Sequence, residues 1–122
     1  MAVSQTIEVQ QVQDALRAFF RGLDAGDQAT IRQAWHPDAA LFLHNAVLKT
    51  KPLAFLLNLP EHMDFSIQAI RHVDVQGFVA SARVDYHLAV GLHSGFFNLV
   101  KADGQWVIAN WVDHGVEPSP TG

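Results

Sequence analysis

Apolar side chains recur at Ile7, Val9, Val12, Leu16, Phe19, Phe20 and Leu23. That three- and four-residue spacing draws one stripe and predicts a helix over about residues 4–22. Ser4 stands at the cap position, although Ile7 occupies the place a capping box gives to Glu. The run Asp24-Ala25-Gly26-Asp27 reads as a tight link. Asp27 is placed to cap a short second helix that ends near Trp35. Pro37 disfavours helix at His36, so Ala39 to Asn45 is expected to be extended. Lys51-Pro52 suits the first turn of a third helix, Pro52 to Leu59, which Pro60 stops. After Asp64 the period falls to two: Phe65, Ile67, Ala69, Val73 and Val75 alternate with polar residues, and the disturbance at Ile70-Arg71 predicts a bulge. Gln76-Gly77 is a turn. Phe78 to Val90 is a long strand, Gly91 and Gly95 bracket a bend, and Phe96 to Lys101 is another strand. Asp103-Gly104 marks a hairpin turn into a last strand, Gln105 to Asp113. Helices first and strands afterwards give an α+β fold. Long antiparallel strands in so short a chain must curl round the stripe of the first helix.

Composition narrows the class. With 122 residues, 49% apolar and 16% charged, the chain reads as a single domain, residues 1–122, folded over about 5–114 with a tail at 115–122. Eight Lys and Arg against twelve Asp and Glu leave a net charge of −4, so no basic footprint for nucleic acid is present. No run approaches the ~18 apolar residues of a membrane span, and Met1 to Gln10 lacks the pattern of a secretory signal. There is no Cys. Disulfides, thiolate metal sites and cysteine nucleophiles are excluded, and a cytoplasmic location is expected.

Four stretches carry a resemblance: Gly22-Leu23-Asp24-Ala25-Gly26-Asp27; Ala34-Trp35-His36-Pro37-Asp38-Ala39; Asp74-Val75-Gln76-Gly77 followed by alternating Ala80, Ala82 and Val84; and Leu99 through Asn110. In these, over about residues 5–114, the chain resembles the nuclear transport factor 2-like superfamily. It looks most like the branch called putative lumazine-binding, and more loosely like polyketide-cyclase-like proteins. The resemblance implies a cystatin-like α+β roll: a cone-shaped, strongly bent antiparallel sheet wrapped around N-terminal helices, an apolar cavity within, and a homodimer. Members of that superfamily include isomerases, dehydratases, cyclases and proteins with no catalysis, so the resemblance does not supply a function.

Strand phase then nominates a cavity lining, because side chains alternate between the two faces of a strand. In Phe78 to Val90 the phase with Phe78, Ala80, Ala82, Val84, Tyr86, Leu88 and Val90 is expected inside, since the other phase holds Arg83 and Asp85. The resemblance suggests that Trp106 and Ile108 point inward. Strict alternation then adds Asn110, Val112 and His114 to the interior, and Ala40, Phe42 and His44 share a phase earlier in the chain. The expected ligand-binding set is Phe19, Trp35, Phe42, His44, Tyr86, Asn110 and His114. These polar groups either satisfy one another in a closed core or are kept for a small apolar or aromatic ligand.

Chemistry is harder to find. None of the seven histidines stands at a His-x₃-His or His-Glu-x-x-His spacing, so no metal and no cofactor is expected. Neighbours Asp113 and His114 leave opposite faces of a strand and cannot form a dyad. Ketosteroid isomerisation, known in the resembling superfamily, needs a carboxylate base, a tyrosine and a protonated acid. The resemblance places these at Leu43, Phe19 and near Phe96, all apolar, which argues against that reaction. His44, Tyr86 and His114 remain as catalytic candidates. On the outward phase of the last strand lie Val107, Ala109 and Trp111, joined by Phe97 and Leu99 or by Phe96 and Val100. A sheet apolar on both faces must be covered on both, and a second copy about a twofold axis is the simplest cover. The alternative cover is the C-terminal tail folded over Trp111. Two functions follow as expectations: a non-catalytic small-molecule-binding protein, or an isomerase-, cyclase- or dehydratase-like enzyme acting on a small hydrophobic substrate.

Overall fold

A computed structural model describes residues 2–43, 47–60, 63–88 and 91–116, with side chains described from Thr6 onward. Helix α1 spans Ala2–Ala25. Its stripe buries Val12, Leu16, Phe19, Phe20 and Leu23, while Ile7 stays exposed. The helix stops at Gly26, whose φ of +66° is open to glycine at little cost, and Asp27 N–H donates back to Gly22 C=O at 2.9 Å. Asp27 caps α2 (Gln28–Ala34), accepting from Thr30 N–H at 3.3 Å and Thr30 Oγ1–H at 2.7 Å. Strand β1 (Trp35–Leu43) starts four residues earlier than expected, with His36 Nδ1 accepting Asp38 N–H at 3.0 Å across the Pro37 irregularity. A short β2 (Val47–Leu48) and helix α3 (Pro52–Leu57) follow. The remainder is β3 (Ser66–Gln76), β4 (Val79–Leu88), β5 (Gly91–Ala102) and β6 (Gln105–Gly115).

The six strands form one bent sheet in the order β2-β1-β6-β5-β4-β3. Every neighbouring pair is antiparallel except β1 with β6, which run parallel. Irregularities bend β3 between Ile67 and Ala69 and between Arg71 and Asp74, the second at His72, whose φ is +56°. The α+β roll expected from the sequence is present, with α1 in the hollow of the sheet. At its N-terminal end α1 is tied down by Glu8, which accepts from Lys101 Nζ at 3.0 Å and from Trp106 Nε1 at 3.0 Å. These bonds hold the Glu8 carboxyl below its usual range.

Strict alternation holds in β4, where Ala80, Ala82, Val84 and Tyr86 are buried, but not for Phe78, which lies before the strand and is 71% exposed. It fails in β6. From the hairpin turn, Ala102 faces Gln105 and the pairing proceeds regularly to Leu99 facing Ile108. The next pair is Asn98 with Asn110, so Ala109 is the extra residue of a bulge. Beyond it every side chain changes face. Trp111 and Asp113 therefore point into the core, whereas Asn110, Val112 and His114 lie on the outer face, against the expectation for each. Trp111 is only 4% exposed, so it is unavailable as an interface residue. The same logic corrects β1. Leu41 lies beside Trp111 and Phe42 beside Val112, so Ala39 and Leu41 are buried and Phe42 faces out. On β5, Phe97 and Leu99 are inside and Phe96 is outside. Residues 44–46, 61–62, 89–90 and 117–122 lie outside those described, and so do the candidate His44 and the expected tail contact to Trp111.

Candidate functional site

The interior is filled first by aromatic rings. Phe19 stacks on Trp35 at 5.9 Å and meets Trp111 edge-on at 5.7 Å. Phe97 stacks on Trp111 at 5.1 Å, and Phe20 sits 4.9 Å from the Tyr86 ring. Such pairs add about 0.5–1.5 kcal/mol each beyond the area they bury. Phe19 and Trp35, expected as ligand contacts, thus belong to this packed layer. Gly95 makes the layer possible: a Cβ there would stand 2.6 Å from Trp111 Nε1 and 3.0 Å from Tyr86 Cε1.

A cavity of about 180 Å³ opens between α3 and the sheet. Leu41 and Leu43 of β1, Leu88 of β4 and Trp111 of β6 form its sheet wall. Phe55, Leu56 and Leu59 close it from the helix side, with Met63 and Phe65 completing the ring. Among the described residues the one polar side chain on this wall is Asp113. Larger surface hollows lie between α1, α2 and the β5–β6 turn (about 320 Å³), between the three helices (about 410 Å³), between α1 and β3 (about 340 Å³) and over β3 to β5 (about 290 Å³); none is lined by Tyr86, His93 or Asp113.

Asp113 is 8% exposed and is held from behind. Its Oδ1 accepts the hydroxyl of Tyr86 and stands 3.0 Å from His93 Nδ1; Oδ2 lies 3.3 Å from the same nitrogen. The His93 ring stacks on that of Tyr86 at 5.7 Å. Strand register explains the grouping, since Tyr86 faces His93 across β4–β5 while Gly95 faces Asp113 across β5–β6. Three side chains from three adjacent strands thereby share the inner face. Burial pushes the Tyr86 phenol well above its usual range, and the neighbouring Asp113 carboxylate pushes it further by charge and by hydrogen bonding. The indole N–H of Trp111 works weakly the other way, approaching the phenol without forming a regular hydrogen bond. The phenol therefore remains a donor to Asp113 at any ordinary pH.

Of the expected site residues, only Tyr86 belongs to this group, and it reaches the cavity through Asp113. Asn110 accepts from Asn98 Nδ2 at 3.1 Å on the outer face, and His114 is exposed opposite Ser94 there. Asp113, His93 and Trp111 were missed. Their signal was Gly95: a glycine in mid-strand marks close approach of another side chain, and the residue opposite it is Asp113. Leu43, Phe19 and Phe96, assigned to isomerase roles by resemblance, are respectively a cavity wall, a core ring and an outward side chain.

Comparison with known proteins adds a family. A family model described as "Putative lumazine-binding" matches residues 7–113. No curated protein matches the chain significantly. Among solved structures, the chain is similar to an NTF2-like protein of Methylobacillus flagellatus KT, with 25% identity, 90% of this chain and 93% of that one covered, and a TM-score of 0.74. An NTF2-like protein of Shewanella baltica OS155 is 23% identical over 93% of this chain and 97% of its own, with a TM-score of 0.75. A "putative dehydratase from the NTF2-like family" of Streptomyces avermitilis superposes with a TM-score of 0.80 at 17% identity, covering 93% and 99%.

Proposed function

Because the chain belongs to the family described as putative lumazine-binding, among the NTF2-like proteins, we propose that it is a small-molecule-binding protein whose ligand enters the cavity above Asp113. The observation that carries this reading is a hollow with apolar walls and one buried carboxylate held in place by Tyr86 and His93. Pockets that bind small molecules combine an apolar lining with a few convergent polar groups. The ligand is small and mostly apolar or aromatic, since about 180 Å³ holds little more than one ring system. A thermal-shift screen of aromatic and heterocyclic compounds is the test. A ligand at 100 times its dissociation constant adds about 2.7 kcal/mol of stability, and Met63→Trp, filling the cavity from its rim, should abolish the response. A broad panel without any shift would count against the proposal.

Acid–base catalysis on the same ligand is the second reading, favoured by His93 Nδ1 lying 3.0 Å from Asp113. A carboxylate orients an imidazole in this way in catalytic triads. His93 does not line the cavity, however, so it touches a ligand only through Asp113, and binding is the better-supported function. If turnover of any bound compound is found, loss of rate without loss of affinity in His93→Gln would favour catalysis.

The outer sheet face supports a homodimer. Phe42, Val112 and Phe96 form a row across β1, β6 and β5, with Phe96 57% and Val112 41% exposed. Val107 and Ala109 are half-buried farther along β6. The opposite face is already covered by α1, and a second copy of this face is the cover we propose.

A further inference from the structure

The carboxylate of Asp113 is unevenly occupied. Oδ1 receives both the Tyr86 hydroxyl and His93 Nδ1. Among the described residues, Oδ2 has only the longer 3.3 Å approach of that same imidazole nitrogen. Each carboxylate oxygen offers about two acceptor positions. Oδ2, which shares that nitrogen with Oδ1, keeps an acceptor position to spare, and a buried acceptor position gains from a further donor. Asp113 is 8% exposed, and the surface facing it is the cavity. No described residue lining that cavity has a side-chain N–H able to reach Oδ2 except Trp111. The indole nitrogen of Trp111 lies over Gly95, where it would stand 2.6 Å from a Cβ, near the Tyr86 phenol, and it makes no regular hydrogen bond.

We propose that the cavity selects ligands with a single hydrogen-bond donor, N–H or O–H, on an apolar ring-sized body, and that Asp113 Oδ2 receives the donor. This rests on the cavity being the ligand site. The volume of about 180 Å³ is slightly larger than an engineered apolar cavity of about 150 Å³ that takes up benzene. Phe55, Phe65 and Trp111 supply aromatic walls for the ring. A ligand bearing only acceptors, or an anion, would set lone pairs against a carboxylate in an apolar surround, where such a juxtaposition is strongly unfavourable. Two sources of the donor are compatible with the geometry: a neutral hydroxyl or N–H, and a protonated amine, which the aromatic walls also favour.

The experiment titrates the wild-type chain with four compounds of one shape, namely toluene, phenol, benzylamine and benzoate, by calorimetry or by NMR shifts of residues around the cavity. Phenol or benzylamine should bind at least about tenfold tighter than toluene, equal to one interaction of about 1.4 kcal/mol, and benzoate should bind more weakly than toluene. Which of the two leads tells a neutral from a cationic donor. Asp113→Asn should narrow any preference for benzylamine over toluene, but the wild-type comparison suffices should that variant fold poorly. Toluene or benzoate binding as tightly as both donor probes overturns the inference while leaving the cavity as the ligand site. Failure of all four to bind overturns both.

Discussion

Tyr86 is the chain's single tyrosine, so its proton can be followed without interference. Burial and the Asp113 carboxylate raise its pKa in the folded state, against about 10 in an unfolded chain. Below pH ~10 both states keep the proton and the stability is fully present; above it the unfolded chain sheds its proton and stability falls. The near-ultraviolet absorbance of phenolate should therefore rise only together with alkaline unfolding, and Tyr86→Phe should lose that arm of the pH dependence. Phenolate forming near pH 10 in an intact fold would refute the contact with Asp113. Near neutrality the same substitution removes a donor from a buried carboxylate and should cost about 1–3 kcal/mol in chemical denaturation. Gly95 gives a second residue-level outcome. Gly95→Ala places a methyl 2.6 Å from Trp111 Nε1 and 2.9 Å from Phe97. It should destabilise by about 1–3 kcal/mol as overpacking does, and a neutral result would mean that the aromatic layer shifts freely.

At the level of elements, helices and strands were legible because their patterns are long and regular. The α1 stripe, the Asp27 cap and the Asp103-Gly104 turn each have a local cause that the residues display. The bulge in β6 does not. Ala109 carries no glycine or proline signal, and both phases of 106–114 are apolar enough to be buried, so strict alternation runs straight through the bulge and puts Asn110, Trp111, Val112, Asp113 and His114 on the wrong faces. The inner cluster was invisible for the same reason: His93 and Asp113 are brought together by register across β5–β6, which one strand's phase cannot reveal. The bulge in β3 was anticipated at Ile70-Arg71 and lies between Arg71 and Asp74. There His72 takes a φ of +56°, a conformation that costs a side-chain-bearing residue about 1–2 kcal/mol. His72→Gly should be neutral or stabilising, and His72→Val should lower the melting temperature; the reverse order would show that the imidazole itself stabilises the bend. On the outer face burial pushes the Asp85 carboxyl up, but hydrogen bonds from Arg71, Ser94 and Arg83 prevail and hold it below its usual range. Its contribution is complete above the unfolded value of about 3.9 and is lost as pH falls through the lower folded value. Asp85→Asn should accordingly flatten part of the acid limb of stability.

For the molecule as a whole, the outer face predicts an association that sedimentation can read. Wild type at micromolar concentration should sediment at twice the 13.5 kDa chain mass, and Phe96→Arg, a change on an exposed position, should give monomers with the fold intact. A wild-type monomer, or a dimer untouched by Phe96→Arg, would reject that face. The parallel pairing of β1 with β6 has a consequence for biosynthesis. The strand translated first pairs on one side with the short β2, but its neighbour on the other side, β6, is translated last, with the whole β3–β5 meander between them. While the chain is leaving the ribosome, β1 has only the two-residue β2 beside it, and Leu41 and the ring of Trp35 lack the β6 neighbours, Trp111 and Ile108, beside which they end up buried. The nascent protein has to keep β1 from sticking to other chains until Trp111 has emerged, a vulnerability that chaperone dependence or aggregation of prematurely terminated products would expose.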